Sequence, residues 1–234
     1  DFSVLNYLNQ NFTTNKVGGN YFDAQNYIAP SAYYYFDYPS PFASDYLAYL
    51  LFQIEANKAW TTKPIIPFVW LKYSQNTSLR NTFIRNWMIE ATAIFPFFSG
   101  AKGLWLWEDP TTFADNRNYA AYERFIASLH RLSKFRDMFE GDYQLIIPQT
   151  AYDLYVTRKP IVRAVKKNNF VLVAAHNPYA KSETEVVETS IQIGNWTNTI
   201  QLTGFEVKLC KYDLSLLSNE KEIQPKIIAY PNPV

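Results

Sequence analysis

Cysteine is nearly missing from this chain of 234 residues: Cys210 stands alone, so no disulfide can form within it. That is compatible with a reducing compartment and equally with exported bacterial proteins that do without bridges. Histidine is scarce too. His130 and His176 are the only two, which leaves little from which to build a His-rich metal site or a Ser-His-Asp triad. No apolar run reaches the roughly 18 residues of a membrane-spanning helix. The net charge is +1, which carries no electrostatic footprint for nucleic acid. No motif asks for a cofactor. The chain opens at Asp1 with neither Met nor a signal peptide, and so reads as part of something longer, with an N-terminal portion still to be supplied.

What the chain does have is apolar and aromatic mass. Hydrophobic residues make up 48%, enough to bury a core and to exclude disorder. Aromatics make up 18%, led by 18 Tyr and 17 Phe. Two readings follow. The rings fill a large core, or some of them form a surface that stacks on ligand rings, because Tyr and Trp combine an apolar face with a polar edge.

Residues 32–141 alternate between strand and helix patterns. "AYYYFDY" (32–38) predicts a strand closed by Pro39 and Pro41. Tyr46, Leu47, Leu50, Leu51 and Ile54 recur at helical spacing over 43–60, with Ser44 as cap. "KPIIPFVWLKY" (63–73) is apolar on both faces, as a buried parallel strand should be. Asn76, Thr77 and Ser78 offer caps for a second helix, with Leu79, Phe83, Ile84, Trp87, Met88 and Ala91 on its apolar face and Pro96 and Gly100 at its end. "GLWLWEDP" (103–110) follows as a third strand, and 116–138 as a third helix. After Gly141 short β-rich runs replace helices: 143–148, 153–157, 161–165, 170–175, 185–193, 199–202 and 205–210. They predict an antiparallel β-sandwich.

The fold class is therefore α/β plus all-β. Three strand–helix units followed by a small sandwich resemble the C-terminal half of a (β/α)8-barrel glycoside hydrolase with its appended all-β domain. "KPIIPFVW" stands as the seventh barrel strand, "SGAKGLWLWED" as the eighth, and "VLVAAHNP" as a strand of the sandwich. The layout divides the chain into a partial barrel over 1–141, a sandwich over 142–217, and a linker over 218–234. The terminal "AYPNPV" resembles the opening of the C-terminal sorting domain that Bacteroidota attach to exported proteins. That resemblance implies a secreted or surface-attached bacterial protein.

In barrels the site lies at the C-terminal ends of the strands. There the resemblance implies that Trp107 is the platform under a sugar ring. Side chains alternate along a strand, so Trp105, Trp107 and Asp109 share one face and Leu104, Leu106 and Glu108 the other. The aliphatic side suits the helices, which turns the tryptophans toward the barrel mouth. Asp37, Glu108 and Asp109 are the candidate catalytic carboxylates, since glycoside hydrolysis needs two carboxyl groups about 5–10 Å apart with one protonated. Trp107, Trp70, Lys72 and Tyr35 are the candidate substrate contacts. The chain departs from a common pattern: many retaining barrel hydrolases place a nucleophilic Glu on the seventh strand, and "IIPFVWLKY" has none. The expected partner is a polysaccharide or oligosaccharide. The expected function is hydrolysis of its glycosidic bonds, or alternatively non-catalytic carbohydrate binding or surface adhesion on a barrel scaffold; a third reading is an unrelated α/β enzyme with a β-sandwich tail.

Overall fold

The computed structural model describes residues 25–74, 76–79, 82–107 and 119–217, together with a short antiparallel pair, β1 (Gln10–Asn11) and β2 (Lys16–Val17). Three segments then run parallel, side by side and in chain order. Bridges join Ile28 to Ile65 and Ser31 to Phe68, and β3 (Phe68–Val69) pairs in parallel with β4 (Trp105–Leu106). The amides of Ile66 and Phe68 donate to the carbonyls of Ile28 and Pro30, and those of Trp105 and Trp107 donate to Pro67 and Val69. Each segment leads into a helix: α1 (Asp45–Trp60), α2 (Asn86–Ser99) and α3 (Ala120–Ser133). The alternating pattern of strand and helix thus gives the parallel layer it implies. Among the described residues no helix is long and apolar enough to cross a membrane.

Several boundaries differ from the sequence expectation, each for a local reason. The aromatic run 32–38 is not a strand. Pairing stops at Ser31, and a turn over 38–44 follows, with a cis peptide at Tyr38–Pro39. The Ser44 hydroxyl does not cap α1; it donates to the Pro178 carbonyl. Asn76–Ser78 open no long helix, because Thr77–Leu79 make a single 3-10 turn and α2 starts only at Asn86. Pro96 sits inside the last turn of α2, and Gly100, at φ +109°, closes it. That left-handed backbone is one that glycine tolerates without a Cβ penalty.

Beyond Gly141 the chain forms β5 (Gln144–Ile146), α4 (Ala151–Thr157), β6 (Ile161–Lys167), β7 (Phe170–His176), β8 (Val186–Ile193), β9 (Trp196–Thr203) and β10 (Val207–Asp213). Helix α4 corrects the strand expected at 153–157. Thr150 caps it: its Oγ1 accepts the Asp153 amide at 3.1 Å, and its hydroxyl donates to Asp153 Oδ2 at 2.7 Å. The other runs are strands as expected. They form an antiparallel sheet in the order β10–β7–β6–β5, with the separate β8–β9 hairpin laid against it.

Alternation decides which side each strand residue faces. Val162, Ala164, Val171 and Val173 pack with Ile191, Ile200 and Leu202 of the hairpin. Ile161, Val165, Leu172 and Leu209 join Leu47, Ile54, Ile89 and Phe95 in the larger core. That core crosses residue 141 without a break. Helix α2 lies at its centre, between the parallel layer and the antiparallel sheet, and almost every one of its residues is buried. A helix apolar on all sides needs such a position.

Candidate functional site

Leu104 and Leu106 pack into the main core, as the alternation of β4 requires, while Trp105 and Trp107 project from the opposite face. There they are 46% and 51% exposed. Phe68 of β3 lies between them, its ring 6.3 Å from Trp105 in a stacked arrangement and 5.6 Å from Trp107 edge-on. Tyr33 meets Trp107 at 6.5 Å and Trp70 edge-on at 5.7 Å, and Tyr27 meets Trp105 at 6.5 Å. The result is a continuous aromatic face on the side of the parallel segments away from the helices. Tyr27, Tyr33 and Phe68 were not singled out in the sequence. The same two-residue alternation that selects Trp107 also selects Phe68 once β3 and β4 are set in register.

Asp37 lies beyond the C-terminal end of the first parallel segment, in a cluster of its own. Its Oδ1 accepts from Tyr73 Oη at 2.6 Å, from Arg85 Nε at 2.6 Å and from the Tyr38 amide at 2.7 Å. Its Oδ2 accepts from Arg85 Nη2 at 3.0 Å. Burial pushes this carboxyl upward, but the hydrogen bonds from Arg85 and Tyr73 and the Arg85 charge outweigh it, so the pKa ends below the usual carboxylate range. Asp37 is thus held ionised, an acceptor and a fixed charge, where a general acid must keep its proton. Burial and the Asp37 charge hold the Tyr73 phenol protonated, and Asp37 keeps Arg85 firmly cationic.

The other expected contacts divide. Trp70 joins the aromatic face through Tyr33. Tyr35 is at the surface, with its ring edge-on to Phe36 at 4.8 Å and its carbonyl accepting from Asn76 Nδ2. Lys72 is buried, 4% exposed, with its ammonium 5.2 Å above the Phe83 ring. Its position inside a backbone bridge to Phe83 explains why it packs inward instead of reaching solvent. Glu108 and Asp109 lie outside the described residues.

The sequence also gave no sign of three ion pairs that stitch the layers together. Arg163, wholly buried in β6, meets Glu55 of α1 at 3.0 Å, and Glu55 also accepts from Ser99 Oγ and from the Ala151 amide. Arg131 of α3 pairs with Glu90 of α2 and donates to the Val207 carbonyl. Arg158 pairs with Asp45 at 2.9 Å. Among the described residues no group of three or more His, Cys, Asp or Glu side chains is placed to hold a metal ion. Two cavities lie away from the tryptophans. One, of about 470 Å³, lies between α1 and α4; the other, of about 440 Å³, lies between the 38–44 turn and residues 178–181. Compared with known proteins, the chain matches no family model, no curated protein and no solved structure.

Proposed function

We propose that this is a carbohydrate-active protein that holds a sugar chain against the aromatic face around Trp107, and that its three strand–helix units are the last three of a (β/α)8 barrel. The observation that carries the reading is the half-exposed indole of Trp107, set at the C-terminal end of β4 on the face away from the helices. A sugar offers an apolar C–H face to such a ring while its hydroxyls take hydrogen bonds from polar groups nearby. The parallel order of the three segments supports the barrel reading, and "AYPNPV" supports an exported bacterial protein.

One observation bears on hydrolysis: Asp37 is not its proton donor. Among the described residues the carboxylate at the strand ends, Asp37, is paired with Arg85 and kept ionised. Acid–base cleavage of a glycosidic bond needs a second carboxyl that retains its proton. Hydrolysis is the second reading, and release of reducing sugar from a polysaccharide, lost on Asp37→Asn, would establish it in place of binding.

Trp107→Ala tests the site. Calorimetry against a panel of oligosaccharides should show binding weakened by about 1 kcal/mol, the scale of one aromatic contact. The melting temperature should fall far less than the ~3–5 kcal/mol cost of truncating a buried tryptophan implies. A variant that binds sugar as well as the parent yet melts much lower would make Trp107 a core residue and end the proposal.

A further inference from the structure

The β8–β9 hairpin is a sheet of two strands, so each strand has one side without a neighbouring strand. The register says which backbone groups face that side. The Gly204 amide donates to the Glu185 carbonyl at 2.7 Å, one step before the Val186–Thr203 pair. Hydrogen-bonded pairs recur at every second residue of an antiparallel ladder. Val187, Thr189, Ile191 and Ile193 therefore bond across to β9, whereas the amides and carbonyls of Val186, Glu188, Ser190 and Gln192 point away from it. The opposite edge agrees with this phase: the Gln201 carbonyl accepts from Lys208 Nζ, and the Thr203 amide donates to Glu206 Oε1.

The edges of the sandwich are not treated alike. Glu206 and Lys208 cover groups along β9, Arg131 holds the Val207 carbonyl of β10, and β5 is only three residues long. Along β8 the backbone groups of Val186, Glu188, Ser190 and Gln192 meet no hydrogen-bond partner among the described residues. Yet β8 is eight residues long, pairs residue for residue without a bulge, and contains neither proline nor lysine. Those are the devices that keep a free edge from pairing with another chain. Its inward row, Val187, Thr189, Ile191 and Ile193, holds no charge, and all but Ile191 are only half-buried.

The strand also matches itself. When two copies of β8 lie antiparallel about a two-fold axis at Ser190, outward-pointing backbone groups meet their like. Glu188, the one charged residue of β8, falls opposite Gln192 of the other copy. Val187 falls opposite Ile193 and Thr189 opposite Ile191, pairs of β-branched residues that suit facing strands. An axis at Glu188 would set two carboxylates face to face, and an axis at Thr189 would set Glu185 against Ile193. From the open edge and this self-complementary register, we infer that β8 is an interface between two copies of this chain, which join their hairpins into one continuous sheet across a two-fold axis. The interface is separate from the aromatic face around Trp107 and does not depend on its role.

Sedimentation equilibrium on the full chain should show a monomer–dimer equilibrium. Ser190→Cys should give a covalent dimer on mild oxidation, because facing residues at the axis lie about 5.5 Å apart, within reach of a disulfide. Glu188→Cys should not, since its counterpart lies opposite Gln192; Cys210 is buried and should leave the parent uncrosslinked. Gln192→Lys meets Glu188 of the other copy twice by symmetry and should tighten the dimer about fivefold or more, and Gln192→Glu should weaken it by as much. Both changes lie on the solvent side and leave the backbone pairing with β9 intact. A chain that stays monomeric at millimolar concentration, a dimer that does not crosslink through Ser190→Cys, or a dimer indifferent to either charge at position 192 would each overturn the inference.

Discussion

His176 shows how one residue can set a pH response. Its ring is fully buried near Trp87 and Phe95, its Nδ1 meets the Glu206 carbonyl at 3.1 Å, and its Nε2 has no hydrogen-bond partner among the described residues. Burial pushes its pKa down to about 4, against the pull of the neighbouring carbonyls. The unfolded chain therefore binds a proton near pH 6.5 that the folded protein refuses until about pH 4. Stability from this group is complete above pH 6.5 and is lost as pH falls through that window, by roughly 3 kcal/mol in all. Urea midpoints measured from pH 7 to 4 should fall accordingly, and His176→Gln should flatten that part of the profile. A parent and a variant with parallel profiles would show that another group sets the acid limit. Asp37 adds a loss at lower pH, because its depressed pKa contributes stability only while it remains ionised.

At the scale of elements, α4 is the instructive case. "DLYVT" is rich in residues that favour strands, so intrinsic preference predicts the wrong state. The cap that decides the matter was also in the sequence, as Thr150 followed three residues later by Asp153. Thr150→Ala should cost about 1 kcal/mol in chemical denaturation, the usual scale of a lost N-cap; a change near zero would mean that the Glu55 contact to the Ala151 amide alone fixes the helix start. Other elements were legible because their periodicity is strong: the strands after 160, the alternation of β4, and the existence of α1, α2 and α3. The start of α2 was not, since polar residues at 76–78 resemble caps whether or not a helix follows. The fate of Lys72 was hidden for a different reason. Whether a lysine beside an apolar run turns outward depends on what packs across from it, here Phe83. Trp107 was legible as a face and a position, whereas the Arg85 and Tyr73 partners that define the chemistry of Asp37 are remote in sequence and leave no local pattern.

The whole molecule depends on contacts that bridge its two texturally different halves. Arg163 is 0% exposed and Glu55 is 14% exposed, and Glu55 also holds Ser99 and the first amide of α4. Glu55→Ala leaves a buried guanidinium without its counter-charge and should cost about 3–5 kcal/mol. Glu55→Leu combined with Arg163→Met should recover only part of that: an apolar pair avoids desolvating two ions, but Ser99 and the Ala151 amide still lose their acceptor. Calorimetry should also find one unfolding transition for the parent, since the core continues from Leu47 through Phe95 to Leu209. Two resolved transitions would mean that the halves melt as separate domains.

The burial of α2 between two layers also bears on synthesis. One wall of that helix is built from Ile161, Val165, Leu172 and Leu209, and Arg131, which pairs with Glu90, also holds the Val207 carbonyl. On the ribosome α2 emerges long before any of those residues. Until β10 has been made and has paired with β7, the helix presents an uncovered apolar flank to the cell. Late-closing contacts of this kind slow folding and expose sticky surface, so the nascent chain is at its most aggregation-prone through much of its own translation.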